Sequence, residues 1–242
     1  MSYNQPYRPN GFGNLPLVTK NILIINIIMF VATMLLSGKG IDLTKYFGLH
    51  YYLASDFKPH QFVTYIFMHG SIQHIFFNMI GVYIFGQVLE QVWGPKRYLI
   101  FYILTGLGAA LAQYIIMHYE ISGLLSMVNA EIDSPLTDVA TKSDLIEKKF
   151  NYLNRQVIVG ASGSLFGLLG AFGMLFPNTE LMLYFLFPIK AKWLVILYGA
   201  FEVYSGVKNN PGDNVAHFAH IGGLIVGVVL VLIWRKDRAR FY

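Results

Sequence analysis

Six stretches of apolar residues run along the chain, each interrupted by few charges and separated by polar connections. They cover residues 21–36, 72–92, 98–118, 156–176, 193–207 and 215–234. Several reach the roughly 18 residues that an α-helix needs to cross the hydrocarbon core of a bilayer. The pattern therefore predicts an all-α membrane protein with a bundle of six transmembrane helices. The predicted organisation is a polar arm over residues 1–20, a membrane domain over 21–234 and a basic tail over 235–242.

Two segments outside these stretches carry weaker patterns. Residues 181–189 are apolar but short and include a proline, so we predict an interfacial connection there. Residues 119–155 form a long predicted external loop. Within it, Thr141 and Asp144 have the spacing of a capping pair, and apolar residues follow at helical intervals. An amphipathic helix on the membrane surface and a solvated loop both fit this pattern.

Composition and charge narrow the class of protein. Of the 242 residues, 55% are hydrophobic and 13% are charged, about half the charged fraction of a soluble domain. Basic residues fall in the short connections near 96–97 and 190–192 and after Trp234, which predicts that both termini are cytoplasmic. The expected location is a bacterial plasma membrane. The net charge of +5 forms no basic stripe, so no nucleic-acid partner is expected. The chain has no cysteine, which excludes disulfides, thiolate metal sites and a cysteine nucleophile.

Polar side chains recur near the external ends of three predicted helices, although such side chains are costly in lipid and are commonly functional. The second, fourth and sixth helices carry His69, His74 and Asn78, then Ser162, then His217 and His220. Asn78, Ser162 and His220 each lie about five or six residues inside their helix, roughly 8–9 Å below the surface. Because these helices run parallel, we expect the three side chains to meet at one level.

Small residues line two of these helices. The fourth carries Gly160, Gly163, Gly167 and Gly170, and the sixth carries Ala219, Gly223 and Gly227. Small residues at this spacing let the backbones of membrane helices approach closely. Such an approach is needed for a serine, with its short side chain, to reach a histidine on another helix.

These residue types support acyl transfer. A serine hydroxyl becomes a useful nucleophile when a base takes its proton, and an imidazole can act as that base near neutral pH. We expect Ser162 to be the nucleophile and His220 the base, because His220 rather than His217 is followed by glycines on its own helix face. His74 and Asn78, one helical turn apart, would hold the oxyanion together with the Ser162 backbone N–H.

Acidic residues are few inside the predicted helices. None lies near this level in helices two, four or six, so we expect a two-residue catalytic dyad. Glu90 and Glu202 lie toward other depths and are interpreted as structural or interfacial. No metal or other cofactor is expected, because the H-E-x-x-H motif is absent. Taken singly, each polar residue and each glycine stripe also fits simple helix packing.

Three segments together resemble the rhomboid family of intramembrane serine proteases. They are HGSIQHIFFN at 69–78, GASG at 160–163 and AHIGGLIVG at 219–227. The resemblance covers residues 21–234 and implies a six-helix rhomboid-like bundle with Ser162 as nucleophile, His220 as base, and His74 and Asn78 at the oxyanion hole. It also implies cleavage of transmembrane protein substrates, single-pass or polytopic, near the outer face of the membrane.

The resemblance carries further implications. Phe166, one turn below Ser162, occupies the position where some members have a tyrosine stacked on the catalytic histidine, and it keeps the ring without the hydroxyl. Residues 39–71 would form the family's membrane-associated loop, and the fifth helix would border the lateral access for substrates. Membrane lipid is the other expected partner. The alternatives are a non-catalytic scaffold or substrate-binding protein, and a transporter, which would show broken helices or paired charges near the midplane.

Overall fold

The computed structural model describes residues 15–183, 187–208 and 215–238, and these residues are mostly helical. The elements in chain order are α1 Leu17–Ser37, α2 Leu43–Phe47, β1 Leu49–His50, α3 Gln61–Thr64, α4 Ile72–Gly81, α5 Gln87–Trp93, α6 Pro95–Asp133, α7 Val139–Arg155, β2 Val157–Ile158, α8 Ser162–Leu175, β3 Glu180–Leu183, β4 Phe187–Lys190, α9 Ala191–Lys208 and α10 His217–Arg238. A 3₁₀ turn follows α3, and a π-helical turn joins α4 to α5. Residues 1–14 of the predicted arm and 239–242 of the predicted tail lie outside the described residues.

Among the described residues, four helical segments are long and apolar enough to cross a membrane: α1, the continuous Ile72–Trp93 segment, α6 and α10 up to Arg235. α8 is apolar but has only 14 residues. Large apolar side chains on the outer surfaces of α1 and α9 are exposed, as expected where a helix contacts lipid. The chain is therefore an integral membrane protein with a mostly helical fold, and the number of six spans stays a prediction.

Two short antiparallel strand pairs correct the all-α prediction. β1 pairs with β2, with Leu49 opposite Ile158 and His50 opposite Val157. β3 and β4 pair in the segment where an interfacial connection is predicted, over residues 181–189, with Leu181 opposite Ile189. The pairing of β2 also corrects the start of the predicted fourth helix, because residues 157–158 are extended and α8 begins only at Ser162.

α6 is far longer than the predicted third span. It continues without a break from Pro95 to Asp133, so the prediction of a loop from residue 119 is wrong. At 1.5 Å per residue the helix is about 58 Å long, well beyond the roughly 30 Å hydrocarbon core of a bilayer. It ends before Pro135, whose ring disfavours a helical conformation at Ser134.

α7 replaces the second half of the predicted external loop, so of the two alternatives for this segment the helix is observed. Its N-cap is Asp138, which accepts hydrogen bonds from the backbone N–H groups of Ala140 and Thr141, and not the predicted pair of Thr141 and Asp144. The hydrogen bonds from Thr141 hold the pKa of Asp138 below its usual range. Leu153 of α7 joins a buried cluster with α6 residues spaced one turn apart, Met117, Ile121 and Leu125.

Both ends of the membrane region extend further than the apolar pattern indicates. α1 begins at Leu17, because the Glu90 carboxylate of α5 accepts hydrogen bonds from the backbone N–H groups of Val18 and Thr19 at 2.9 and 2.7 Å. First-turn N–H groups have no partner inside their own helix, so this buried carboxylate supports the start of α1. At the other end, α10 continues to Arg238.

The backbones of α8 and α10 approach each other closely. A Cβ atom at Gly223 would overlap the backbone carbonyl of Gly163. One turn further on, a Cβ atom at Gly227 would lie 2.7 Å from the carbonyl oxygen of Gly167. Any side chain at these positions of α10 would separate the two helices, so the small residues set the distance between them.

We expect Gly223→Ala to destabilise the fold, because the added methyl group meets backbone atoms that cannot rotate away. Overpacking of this kind costs about 1–3 kcal/mol. The measurement is the unfolding midpoint of purified protein in detergent. Gly123→Ala is the matched control, since Gly123 also lies inside a helix, α6, and has nothing within 4 Å of its Cβ position. Equal midpoints for the two variants would show that α8 and α10 do not meet through Gly223.

Candidate active site

Ser162 is the first residue of α8, and the chain reaches it through a sharp change of direction. Gly160 has a φ of +130°, a conformation that side-chain-bearing residues rarely adopt, and it separates β2 from the helix. No side chain caps the start of α8. Its first N–H groups therefore point away from the helix without intrahelical partners, in the field of the positive end of the helix dipole. This replaces the prediction that Ser162 lies five or six residues inside the helix.

His220 on α10 contacts Ser162 directly. The distance between His220 Nε2 and Ser162 Oγ is 2.8 Å, although the two residues are 58 positions apart in the chain. The contact of Gly223 with Gly163, each close along the helix to one of these residues, brings the two side chains within reach. The phenyl ring of Phe166 lies parallel to the imidazole of His220, with ring centroids 4.3 Å apart and an interplanar angle of 7°.

α4 carries His74 and Asn78, and it brings the His74 ring close to the serine. The Ser71 side chain accepts a hydrogen bond from the His74 backbone N–H and caps this helix. The missing side chain of Gly160 leaves a space between His74 and Ser162. The position that a Cβ atom of Gly160 would occupy lies 2.7 Å from His74 Nε2 and 3.6 Å from Ser162 Oγ. This space is where an oxyanion formed at Ser162 could meet the His74 ring.

Asn78 is buried, and its side-chain nitrogen makes no hydrogen bond with the residues that the structure describes. Most buried polar atoms have a partner, so this unpaired buried donor, one helical turn after His74, needs an explanation. His69 packs edge-on against His74, with ring centroids 4.9 Å apart. Burial, together with the neighbouring His74, lowers the pKa of His69 to about 3, so the ring is neutral at pH 7.

Ser164 lies close to Ser162 in the sequence but faces another helix. Its Oγ donates a hydrogen bond of 2.8 Å to the backbone carbonyl of Tyr102 on α6. The side chain is buried there. Of the two serines that begin α8, only Ser162 contacts a histidine in the described structure.

Glu202 corrects the expectation that acidic residues lie at other depths. Its carboxylate oxygen Oε2 lies 2.6 Å from His217 Nδ1 and 3.0 Å from His220 Nδ1. All three side chains are buried. A signal was present in the sequence: Glu202 lies five residues before the end of the predicted fifth helix, and His220 lies five residues after the start of the predicted sixth. Because consecutive membrane helices run antiparallel, equal distances from their connection mean similar depths.

The same three residues are also the types that bind zinc. Their ligand atoms lie within 4.8 Å of one another. Atoms bound to one tetrahedral zinc at 2.0–2.1 Å are separated by about 3.3 Å, which is longer than both contacts of Glu202. The 2.6 Å contact is a hydrogen bond between His217 and Glu202, so the observed arrangement is that of a hydrogen-bonded cluster.

Comparison with known proteins gives the same family as the motifs. The rhomboid domain family model matches residues 56–237. The chain is 29% identical over 184 residues to RHOMBOID-like protein 12, mitochondrial, of Arabidopsis thaliana, covering 76% of this chain and 49% of that protein. It is 26% identical over 182 residues to the putative rhomboid protease YdcA of Bacillus subtilis (strain 168), covering 74% and 69% respectively.

A further relative is the rhomboid protease AarA of Providencia stuartii, which is 26% identical over 179 residues, covering 69% of this chain and 53% of that protein. The chain spans about half the length of several curated relatives that it matches. The matched region 56–237 contains His74, Asn78, Ser162, Glu202 and His220. Since the family match extends over most of the sequence, the chain belongs to the rhomboid family.

Proposed function

We propose that this chain is an intramembrane serine protease that cleaves transmembrane protein substrates near the outer face of the membrane. The observation that carries the proposal is the 2.8 Å contact between Ser162 Oγ and His220 Nε2. This contact joins a nucleophile and a base from two different helices. A serine that served only to pack the helices would need no imidazole nitrogen at hydrogen-bond distance.

The proposed reaction begins when His220 Nε2 takes the proton of Ser162 as the oxygen attacks the scissile carbonyl carbon. The carbonyl oxygen becomes an oxyanion, for which His74, Asn78 and the Ser162 backbone N–H supply donors. His220 then gives its proton to the leaving amine, and an acyl-enzyme forms on Ser162. Water, deprotonated by the same imidazole, releases the acyl group and restores the serine. The parallel ring of Phe166 would limit the rotation of His220 during these transfers.

We place the protein in a bacterial plasma membrane, with six spans and both termini in the cytoplasm. The proposal is supported by the basic residues at Lys96, Arg97, Lys190 and Lys192 and by the positive-inside rule. α9 would border the substrate's lateral access from the lipid.

Because the chain has no cysteine, a cysteine introduced at Ala140 is expected to react with an impermeant reagent outside intact cells, and one at Lys96 is not. The reverse labelling pattern would show that both termini lie outside the cytoplasm and would contradict the proposed topology.

An activity-based probe tests the proposed nucleophile without the natural substrate. We expect a small fluorophosphonate to modify Ser162 in detergent-folded protein, because His220 removes the proton of that hydroxyl. His220→Ala should abolish the modification. Labelled peptides are identified by mass spectrometry. Ser164→Ala is the matched control and should leave labelling intact, since Ser164 is bonded to Tyr102 on another helix.

Two outcomes would contradict the protease proposal. One is the absence of an adduct on Ser162 in folded protein, and the other is equal labelling with and without His220. Either result would favour the alternative, a non-catalytic rhomboid-like scaffold or substrate-binding protein. Such a protein would keep the helix contacts and bind transmembrane segments without forming a covalent intermediate.

The oxyanion donors are tested by turnover. We expect Asn78→Ala to lower the rate of cleavage of a model transmembrane substrate by about 100- to 1,000-fold, the usual effect of losing one such donor. The variant should stay folded, because the side-chain nitrogen has no partner among the described residues to lose. Asn26→Ala, at another buried asparagine on α1, is the control and should not change turnover per folded molecule. Wild-type rates in both Asn78→Ala and His74→Ala would remove α4 from the mechanism.

A further inference from the structure

Glu202 links two histidines of α10 through a single carboxylate oxygen. Oε2 accepts a hydrogen bond of 2.6 Å from His217 Nδ1 and lies 3.0 Å from His220 Nδ1. The other nitrogen of His220, Nε2, faces Ser162. A carboxylate, an imidazole and a serine hydroxyl therefore follow one another across α9, α10 and α8.

We propose that Glu202 is a positioning residue for His220 and extends the proposed Ser162–His220 pair to a three-residue relay. The proposal rests on the function proposed above. A carboxylate beside Nδ1 favours the tautomer that carries its proton there, which leaves the Nε2 lone pair free to accept the serine proton. When His220 takes that proton, the carboxylate lies next to the new positive charge and stabilises it.

The anchoring by His217 explains how a carboxylate can be held at this depth. A buried acidic side chain is costly unless it is paired. His217 supplies a hydrogen-bond donor within 2.6 Å, and its side chain and that of Glu202 are both under 10% exposed. His217 therefore fixes the carboxylate on the α10 side of α9, one helical turn from His220.

The geometry of the second contact fits a role in the transition state. His220 Nδ1 lies 3.0 Å from Glu202 Oε2 but lacks the alignment of a hydrogen bond. Catalytic hydrogen bonds are often poorly aligned in the unliganded enzyme and tighten when the reaction proceeds. An interaction that strengthens only when His220 is protonated lowers the barrier without tightening substrate binding.

A purely structural role makes a different prediction. Glu202 could serve only to tie α9 to α10 through His217, as Glu90 ties α5 to α1. A glutamine at position 202 can still accept the hydrogen bond from His217 Nδ1, so it would preserve that tie. It would remove the negative charge beside His220. The substitution therefore separates the two roles.

The experiment compares Glu202→Gln with Glu90→Gln, the same substitution at a buried carboxylate outside the site, and with wild type and Ser162→Ala. Cleavage of one model transmembrane substrate is measured per folded molecule across pH. For Glu202→Gln we expect kcat to fall by roughly 100-fold with KM unchanged. That is less than the ~10⁴-fold loss for the corresponding substitution in a serine-protease triad, because here two histidines share the carboxylate. Glu90→Gln should keep the wild-type kcat.

The pH profile gives the readout that a structural role would not move. Besides Ser162, the titratable groups that face His220 within the described part of the chain are Glu202 on α9, His217 on its own helix and His74 on α4. Loss of the carboxylate charge disfavours the protonated imidazole. The pH of half-maximal activity on the acid side should therefore move lower by about one unit in Glu202→Gln and stay at the wild-type value in Glu90→Gln.

A wild-type kcat and an unmoved acid limb in Glu202→Gln would overturn the proposal. If Glu202→Gln does not fold, Glu202→Asp decides the matter, since its shorter side chain keeps the charge but withdraws it from His220. A lower kcat with unchanged KM would then support the proposal, and a wild-type kcat would overturn it. Ser162→Ala tests the proposed function separately. Cleavage by Ser162→Ala at the wild-type rate would reject Ser162 as the nucleophile, whereas an inactive Ser162→Ala beside a fully active Glu202→Gln rejects only the role of Glu202.

Discussion

The contact between the backbones of α8 and α10 determines everything else in the site. Gly223 meets the carbonyl of Gly163 with no room for a side chain. Without that approach, the short Ser162 side chain could not reach an imidazole on another helix. Lipid provides no hydrophobic force between helices, so close packing of small residues is what holds them together. The glycines therefore contribute to the proposed chemistry by setting the distance between Ser162 and His220.

The polar side chains near this contact form a connected set. Ser162 meets His220, His220 faces Glu202, and Glu202 is bonded to His217. Buried polar groups are stable when they satisfy one another, and a connected network also holds each member in one orientation. Asn78 differs, because its side-chain nitrogen has no partner among the described residues. A donor that is left free in the resting protein is available to a charge that forms during reaction.

The sequence is most informative where an apolar stretch is long or where motifs on several helices constrain one another's positions. Three motifs on separate helices were enough to predict which serine and histidine lie together, because parallel helices and glycine stripes constrain their positions. The sequence does not predict β1 and β2, since two paired residues leave no periodic signal. It predicts too early an end for α6, because hydropathy falls where the helix leaves the membrane. The sequence prediction omits Glu202 from the site, because a comparison of the parallel second, fourth and sixth helices says nothing about the depth of α9.

The dependence of Ser162 and His220 on each other is tested most directly by a double-mutant cycle on cleavage of a transmembrane substrate. Residues that act as one catalytic unit are strongly non-additive. Ser162→Ala and His220→Ala should each reduce kcat/KM to the same low level, and the double variant should be no slower than either. Losses that multiply in the double variant would show that the two residues act independently, which would contradict a serine activated by His220.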